Sequence, residues 1–76
     1  MTKRISDNIK KLRKKNHVTQ EHLANVLGVS SQAVSRWECG LACPDIEKLP
    51  EIADFFNVTI DELFRSDKRR TQDNEQ

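Results

Sequence analysis

The sequence predicts an all-α domain of five short helices, and three observations lead to it. Apolar residues recur at helical spacing in five successive segments, each bounded by a capping or breaking residue. No segment alternates apolar and polar residues with a period of two, so nothing reads as a strand. With 76 residues, 36% of them hydrophobic, the chain can fill one small core but not a core plus a deep substrate cavity.

The first helix places Ile5, Ile9 and Leu12 at i, i+4 and i+7, with Thr2 or Ser6 as its cap and its end near Lys15. Thr19 caps the second, whose inner face is Leu23, Ala24 and Leu27. Ala24 is small where two helices approach, and Gly28 can take the positive φ that ends a helix and turns the chain. Ser30 caps the third, with Ala33, Val34 and Trp37 inside, and Gly40 stops it. Pro44-Asp45 opens the fourth, which carries Leu49, Ile52, Ala53 and Phe56 at helical spacing. Pro50 lies inside that pattern and removes a backbone donor, so the helix either begins nearer Leu49 or bends at Pro50. Thr59-Ile60-Asp61-Glu62 is a capping box for a last short helix. From Asp67 onward the chain holds no apolar residue. Residues 1–66 are therefore expected to form the domain and 67–76 a disordered charged tail.

Composition narrows the function. No apolar run approaches the ~20 residues that span a bilayer, and the basic N-terminus lacks the apolar stretch of a secretory signal. Two cysteines are fewer than a secreted domain of this size tends to carry, so the expectation is a soluble, cytoplasmic protein without a membrane partner. The net charge of +1 conceals an asymmetry. Residues 1–36 hold eight Lys and Arg against two Asp and Glu, and residues 37–76 hold five against ten. That split suggests a basic face for a polyanion and an acidic back. From Thr19 to Gly40 the order is helix, tight turn, helix, the geometry that presents one helix to a DNA major groove.

The stretch TQEHLANVLGVSSQAVSRWECG, with Arg13 before it and IEKLPEIADFFNVTIDELF after it, resembles the phage-repressor-like helix-turn-helix family of transcriptional regulators. This is the Cro/repressor type, or xenobiotic-response-element family. The likeness spans roughly residues 5–64. It rests on Thr19-Gln20-Glu21 opening the second helix, Gly28-Val29-Ser30 at the turn, Val34 and Trp37 inside, Glu38 after them, and Ile52-Ala53 in the fourth helix.

Spacing turns Ser30, Ser31, Gln32, Ser35 and Arg36 outward on the third helix. Gln can pair two ways with adenine and Arg two ways with guanine, while Ser donates or accepts at either. The resemblance implies base reading by Ser31, Gln32 and Arg36, with Ser35 on the same face. It implies phosphate contact by Ser30 and Gln20, the latter at the positive end of the second helix. Lys14 and Lys15 are candidates for the DNA backbone; of Lys10, Lys11, Lys14 and Lys15, at least two must face solvent. Arg13 resembles the family residue that pairs with a glutamate after the recognition helix, here Glu38. Ala24, Gly28, Val34 and Trp37 support the site. One departure stands out: the loop Leu41-Ala42-Cys43-Pro44 carries no charge before Asp45, where the family often places phosphate-binding residues.

Cys39 and Cys43 supply too few ligands for a metal site, which needs three or four. They read first as two small, partly buried thiols, with a redox-sensing pair as the alternative. His17 and His22 read as surface residues and Trp37 as core. Phe55, Val58, Ile60, Leu63 and Phe64 are more than so small a domain can bury. Their remainder would form a two-fold dimer patch, with core as the competing reading. The expected function is a repressor-like, sequence-specific DNA-binding regulator, acting as a homodimer on an inverted repeat of double-stranded DNA, with no cofactor and no metal. An antitoxin, or another module whose main partner is a protein, is the alternative, although the tail lacks apolar anchors for one. No catalytic constellation has support from spacing, so an enzyme is not expected.

Overall fold

Side-chain caps open three helices, and left-handed residues close four, which fixes where the chain turns. The computed structural model describes residues 2–65, all-α among them: α1 (Thr2–Lys15), α2 (Gln20–Leu27), α3 (Ser31–Glu38), α4 (Lys48–Phe56) and α5 (Ile60–Leu63). The expected tail at 67–76 lies outside the described residues. Thr19 Oγ1 accepts from the His22 N–H at 3.0 Å, and Ser30 Oγ accepts from the Ala33 N–H at 3.1 Å. At α5 the capping box is complete: Thr59 Oγ1 accepts from the Glu62 N–H at 3.1 Å while Glu62 Oε1 accepts from the Thr59 N–H at 2.7 Å. Each bond satisfies a donor that the first turn of a helix leaves without an internal partner.

The C-terminal ends share one solution. His17, Gly28, Gly40 and Asn57 all have positive φ, at 58°, 73°, 78° and 59°. In each case the next residue's N–H reaches back five residues, Val18 to Arg13, Val29 to Ala24, Leu41 to Arg36 and Val58 to Ala53, at 2.9–3.0 Å. This is the Schellman closure. The glycines announce two of these turns in the sequence, whereas His17 and Asn57 adopt the same conformation without glycine's freedom.

Two boundaries differ from expectation. Ser6 is no cap, because α1 runs through it and buries it in the interior of the helix. The fourth helix does not open at Pro44-Asp45. Pro44 is buried in a non-helical stretch, and a turn in which the Lys48 N–H donates to the Asp45 carbonyl at 2.8 Å precedes α4. Pro50 then falls third in α4, where its missing N–H would have had no intrahelical partner. Of the two alternatives the helix takes the later start.

The core joins Ile5 and Ile9 of α1, Leu23, Ala24 and Leu27 of α2, Val34 and Trp37 of α3, Ile52, Ala53 and Phe56 of α4, and Leu63 of α5. Leu63 therefore leaves the expected dimer patch: it is 0% exposed, closing the core where α5 packs on both α1 and α4. Phe55, Val58 and Phe64 are half-buried against the same core, and Ile60 remains 41% exposed. A polar side chain holds α5 in place. Asn8 Nδ2 donates to the carbonyls of Leu63 at 2.6 Å and Arg65 at 2.7 Å, so one amide from α1 caps the end of a four-residue helix. Asn8 sits on the Ile5–Ile9–Leu12 face, and a polar residue on that apolar stripe was the signal that it has a partner.

Candidate nucleic-acid interface

Helix α3 has two sides of opposite character. Val34 and Trp37 face the core and Glu38 is buried beside them. Residues 31, 32, 35 and 36 fall at i, i+1, i+4 and i+5, which puts them on one outer face. Gln32 and Arg36 are exposed there, while Ser31 and Ser35 are half-covered. Ser30 is exposed at the N-terminal end, its hydroxyl oxygen already accepting the Ala33 N–H. Gly28, in the left-handed region, sets the turn between α2 and α3, and Ala24 lies buried in α2, which packs on α3.

What holds α3 is a network centred on Glu38. Arg13 Nε donates to Glu38 Oε2 at 2.6 Å and Arg13 Nη2 to Oε1 at 3.0 Å, a bidentate pair joining α1 to α3. Gln20 Nε2 donates to the same Oε1 at 3.0 Å, bringing in α2. Arg13 Nη1 reaches the Val18 carbonyl at 2.9 Å, tying down the α1–α2 connection as well. The Arg13 and Glu38 side chains are only 13% and 3% exposed, so the pair is shielded from water. Burial pushes the Glu38 carboxyl upward. The hydrogen bonds from Arg13 and Gln20 and the charges of Arg13 and Lys10 outweigh it, and the group titrates below the usual carboxylate value. The hydrogen bond to Glu38 likewise raises the Arg13 guanidinium, so both partners are charged across the ordinary pH range.

The expected Arg13–Glu38 pair is thus present, and it includes a third member, Gln20. The Gln20 amide nitrogen is engaged with Glu38, an arrangement that local sequence did not reveal. Lys14 and Lys15 end α1 and are exposed, as are Lys10 and Lys11. Beyond α3 the character changes: Leu41 is 71% and Ile46 80% exposed, with exposed Asp45 and Glu47 around Ile46. Cys39 and Cys43 are both exposed, which corrects the expectation of partly buried thiols. The inward positions of α3 belong to Val34, Trp37 and Glu38, and the Gly40 turn leaves both cysteines on the outside. His17 and His22 are on the surface, the His22 ring 6.0 Å from that of Phe55. Among the described residues no three His, Cys, Asp or Glu side chains gather to hold a metal ion, and no helix is long and apolar enough to cross a membrane.

A helix-turn-helix family model matches residues 9–63. The transcriptional activator BcrR of Enterococcus faecalis is 43% identical over 64 residues, covering 84% of this chain and 31% of BcrR. The antitoxin PezA of Streptococcus pneumoniae is 36% identical over 64 residues, 84% of this chain and 40% of PezA. The chain thus spans well under two thirds of either relative. The solution structure of the SOS-response transcriptional repressor LexA from Eubacterium rectale superposes with a TM-score of 0.82 at 31% identity, covering 88% of this chain and 71% of that one. On the α2–turn–α3 geometry and the match that runs from α1 to α5, the chain belongs to the Cro/C1-type helix-turn-helix family of DNA-binding domains.

Proposed function

We propose that this chain is the operator-reading domain of a repressor-like transcriptional regulator working in the cytoplasm, with α3 in the major groove of double-stranded DNA. One observation carries the reading: α3 presents Gln32 and Arg36 to solvent on a helix whose opposite side is locked by Trp37 and the Arg13–Glu38–Gln20 network. A held backbone with free hydrogen-bonding side chains is what bidentate base recognition requires. In this reading Ser31, Gln32, Ser35 and Arg36 read base edges. Ser30, Gln20, Lys14 and Lys15 meet the phosphates. The domain binds as a homodimer on an inverted repeat, its two α3 helices about 34 Å apart. Ile60, with the half-buried Phe55, Val58 and Phe64, supplies apolar surface for the second copy.

The likeness to PezA and the exposed Leu41 and Ile46 favour a second reading, an antitoxin whose main partner is a protein. Selection from a pool of random duplex DNA at two salt concentrations separates the two. An inverted repeat whose binding falls steeply with salt is the expected outcome, the slope easing by about 0.9 for each of Lys14 and Lys15 replaced by Ala. Recovery of no sequence above background overturns the operator-reading proposal.

A further inference from the structure

Cys39 and Cys43 take no part in the interface described above. Both thiols are exposed, and both lie in the connection between α3 and α4. Cys39 closes α3 in the right-handed region, Gly40 turns left-handed at φ 78°, and the Leu41 N–H returns to the Arg36 carbonyl at 2.9 Å. The turn between the sulfurs therefore ends on the backbone of a proposed base-reading residue. Residues 41–44 belong to no helix; Leu41 projects into solvent and can move without withdrawing a side chain from the core, while Ala42, packed on the core, and buried Pro44 anchor the far end of the stretch. A Cβ built on Gly40 would meet only Ser6 Oγ, at 4.0 Å, so there is room at the pivot.

We propose that Cys39 and Cys43 form a thiol–disulfide switch on DNA docking, an inference that rests on α3 being the DNA-reading helix. The oxidant is a peroxide. One thiolate sulfur attacks a peroxide oxygen, giving a sulfenic acid and, after protonation of the leaving hydroxide, one water. The second thiol attacks the sulfenic sulfur, the S–S bond forms and a second water leaves. The two thiols together give up two electrons and two protons, and hydrogen peroxide becomes two waters. A disulfide needs its Cα atoms about 4.4–6.8 Å apart. Closing the ring folds the chain tightly about Gly40 and competes with the Leu41-to-Arg36 bond, fraying the last turn of α3. The reduced chain docks, and the oxidised chain docks poorly.

The test treats the full chain with hydrogen peroxide and weighs the tryptic peptide Trp37–Lys48, which contains both cysteines. The expected peptide is lighter by two hydrogens. Affinity for the selected operator is then about tenfold weaker, is restored by dithiothreitol, and is insensitive to peroxide in Cys39→Ser and Cys43→Ser. Disulfides between chains, or sulfinic acid in place of the ring, overturn the proposal, and so does ring closure with unchanged affinity. A reduced chain that selects no operator overturns the DNA-reading assignment instead. Peptide mass, with amide exchange at residues 36–41, then still decides whether the ring forms and whether it frays α3.

Discussion

The proposed DNA-facing helix, α3, and the last helix, α5, are each held by a buried polar side chain, but by different chemistry. In α1–α3 the closure is ionic: Arg13 and Gln20 converge on the Glu38 carboxylate at the end of α3. At α5 it is neutral, with the Asn8 amide of α1 holding the carbonyls of Leu63 and Arg65. A buried carboxylate depends on its partners far more than a carbonyl does, because an unpaired charge in a low-dielectric site carries a much larger desolvation cost. Helix α3 is therefore held by an interaction that fails sharply, and α5 by one that fails softly.

Breaking the ionic closure should have the largest effect. Arg13→Ala leaves the Glu38 carboxylate without its bidentate partner, and we expect a loss of about 3–5 kcal/mol in chemical denaturation. An effect near that of an exposed ion pair, about 0–1 kcal/mol, would mean that water reaches Glu38 and that the network does not hold α3. Asn8→Ala should cost less, about 1–3 kcal/mol. Its amide-exchange signature should concentrate in α5, with α2 and α3 close to native. Equal exchange in every helix would mean that the two closures unfold as one unit.

Gln32→Ala and Arg36→Ala sharpen the contrast between what holds α3 and what α3 presents. Both are exposed, so thermal stability should change little. Discrimination between operator and random duplex should fall by about 1–3 kcal/mol for each bidentate base pairing that the substitution removes. Equal weakening on both DNAs would remove these residues from base reading.

The smallest effect is the response to acid. Glu38 titrates lower in the fold than in the unfolded chain, so its stabilisation is complete above the usual carboxylate value of 4.5 and disappears as pH falls through the depressed value. Glu62 is depressed too, chiefly by the Thr59 backbone N–H, and adds in the same direction. Stability should therefore decline as pH drops below about 4.5, and less steeply in Glu38→Gln. An unchanged slope in that variant would show that Glu38 has no thermodynamic link to folding.

Helical periodicity, the caps at Thr19, Ser30 and Thr59, and the glycine turns at 28 and 40 are local signals. They act within one or two turns, and for that reason they could be read without knowing the fold. The ionic pair was also visible, through family resemblance more than through any local rule. The outward face of α3 proposed to read bases follows from helix periodicity once α3 is delimited. Four matters depended on how distant segments pack. Leu63 is core because α5 lies across α1 and α4, and Asn8 finds its carbonyls 55 and 57 residues away. Gln20 turns to Glu38, and Cys39 and Cys43 face solvent, because the inner positions of α3 are occupied by other side chains. Burial and long-range hydrogen bonding belong to the assembled surfaces of several helices. Local periodicity and capping set the number of helices, most of their ends and the face α3 offers, whereas packing between helices selected which polar groups became partners and which apolar ones were left outside.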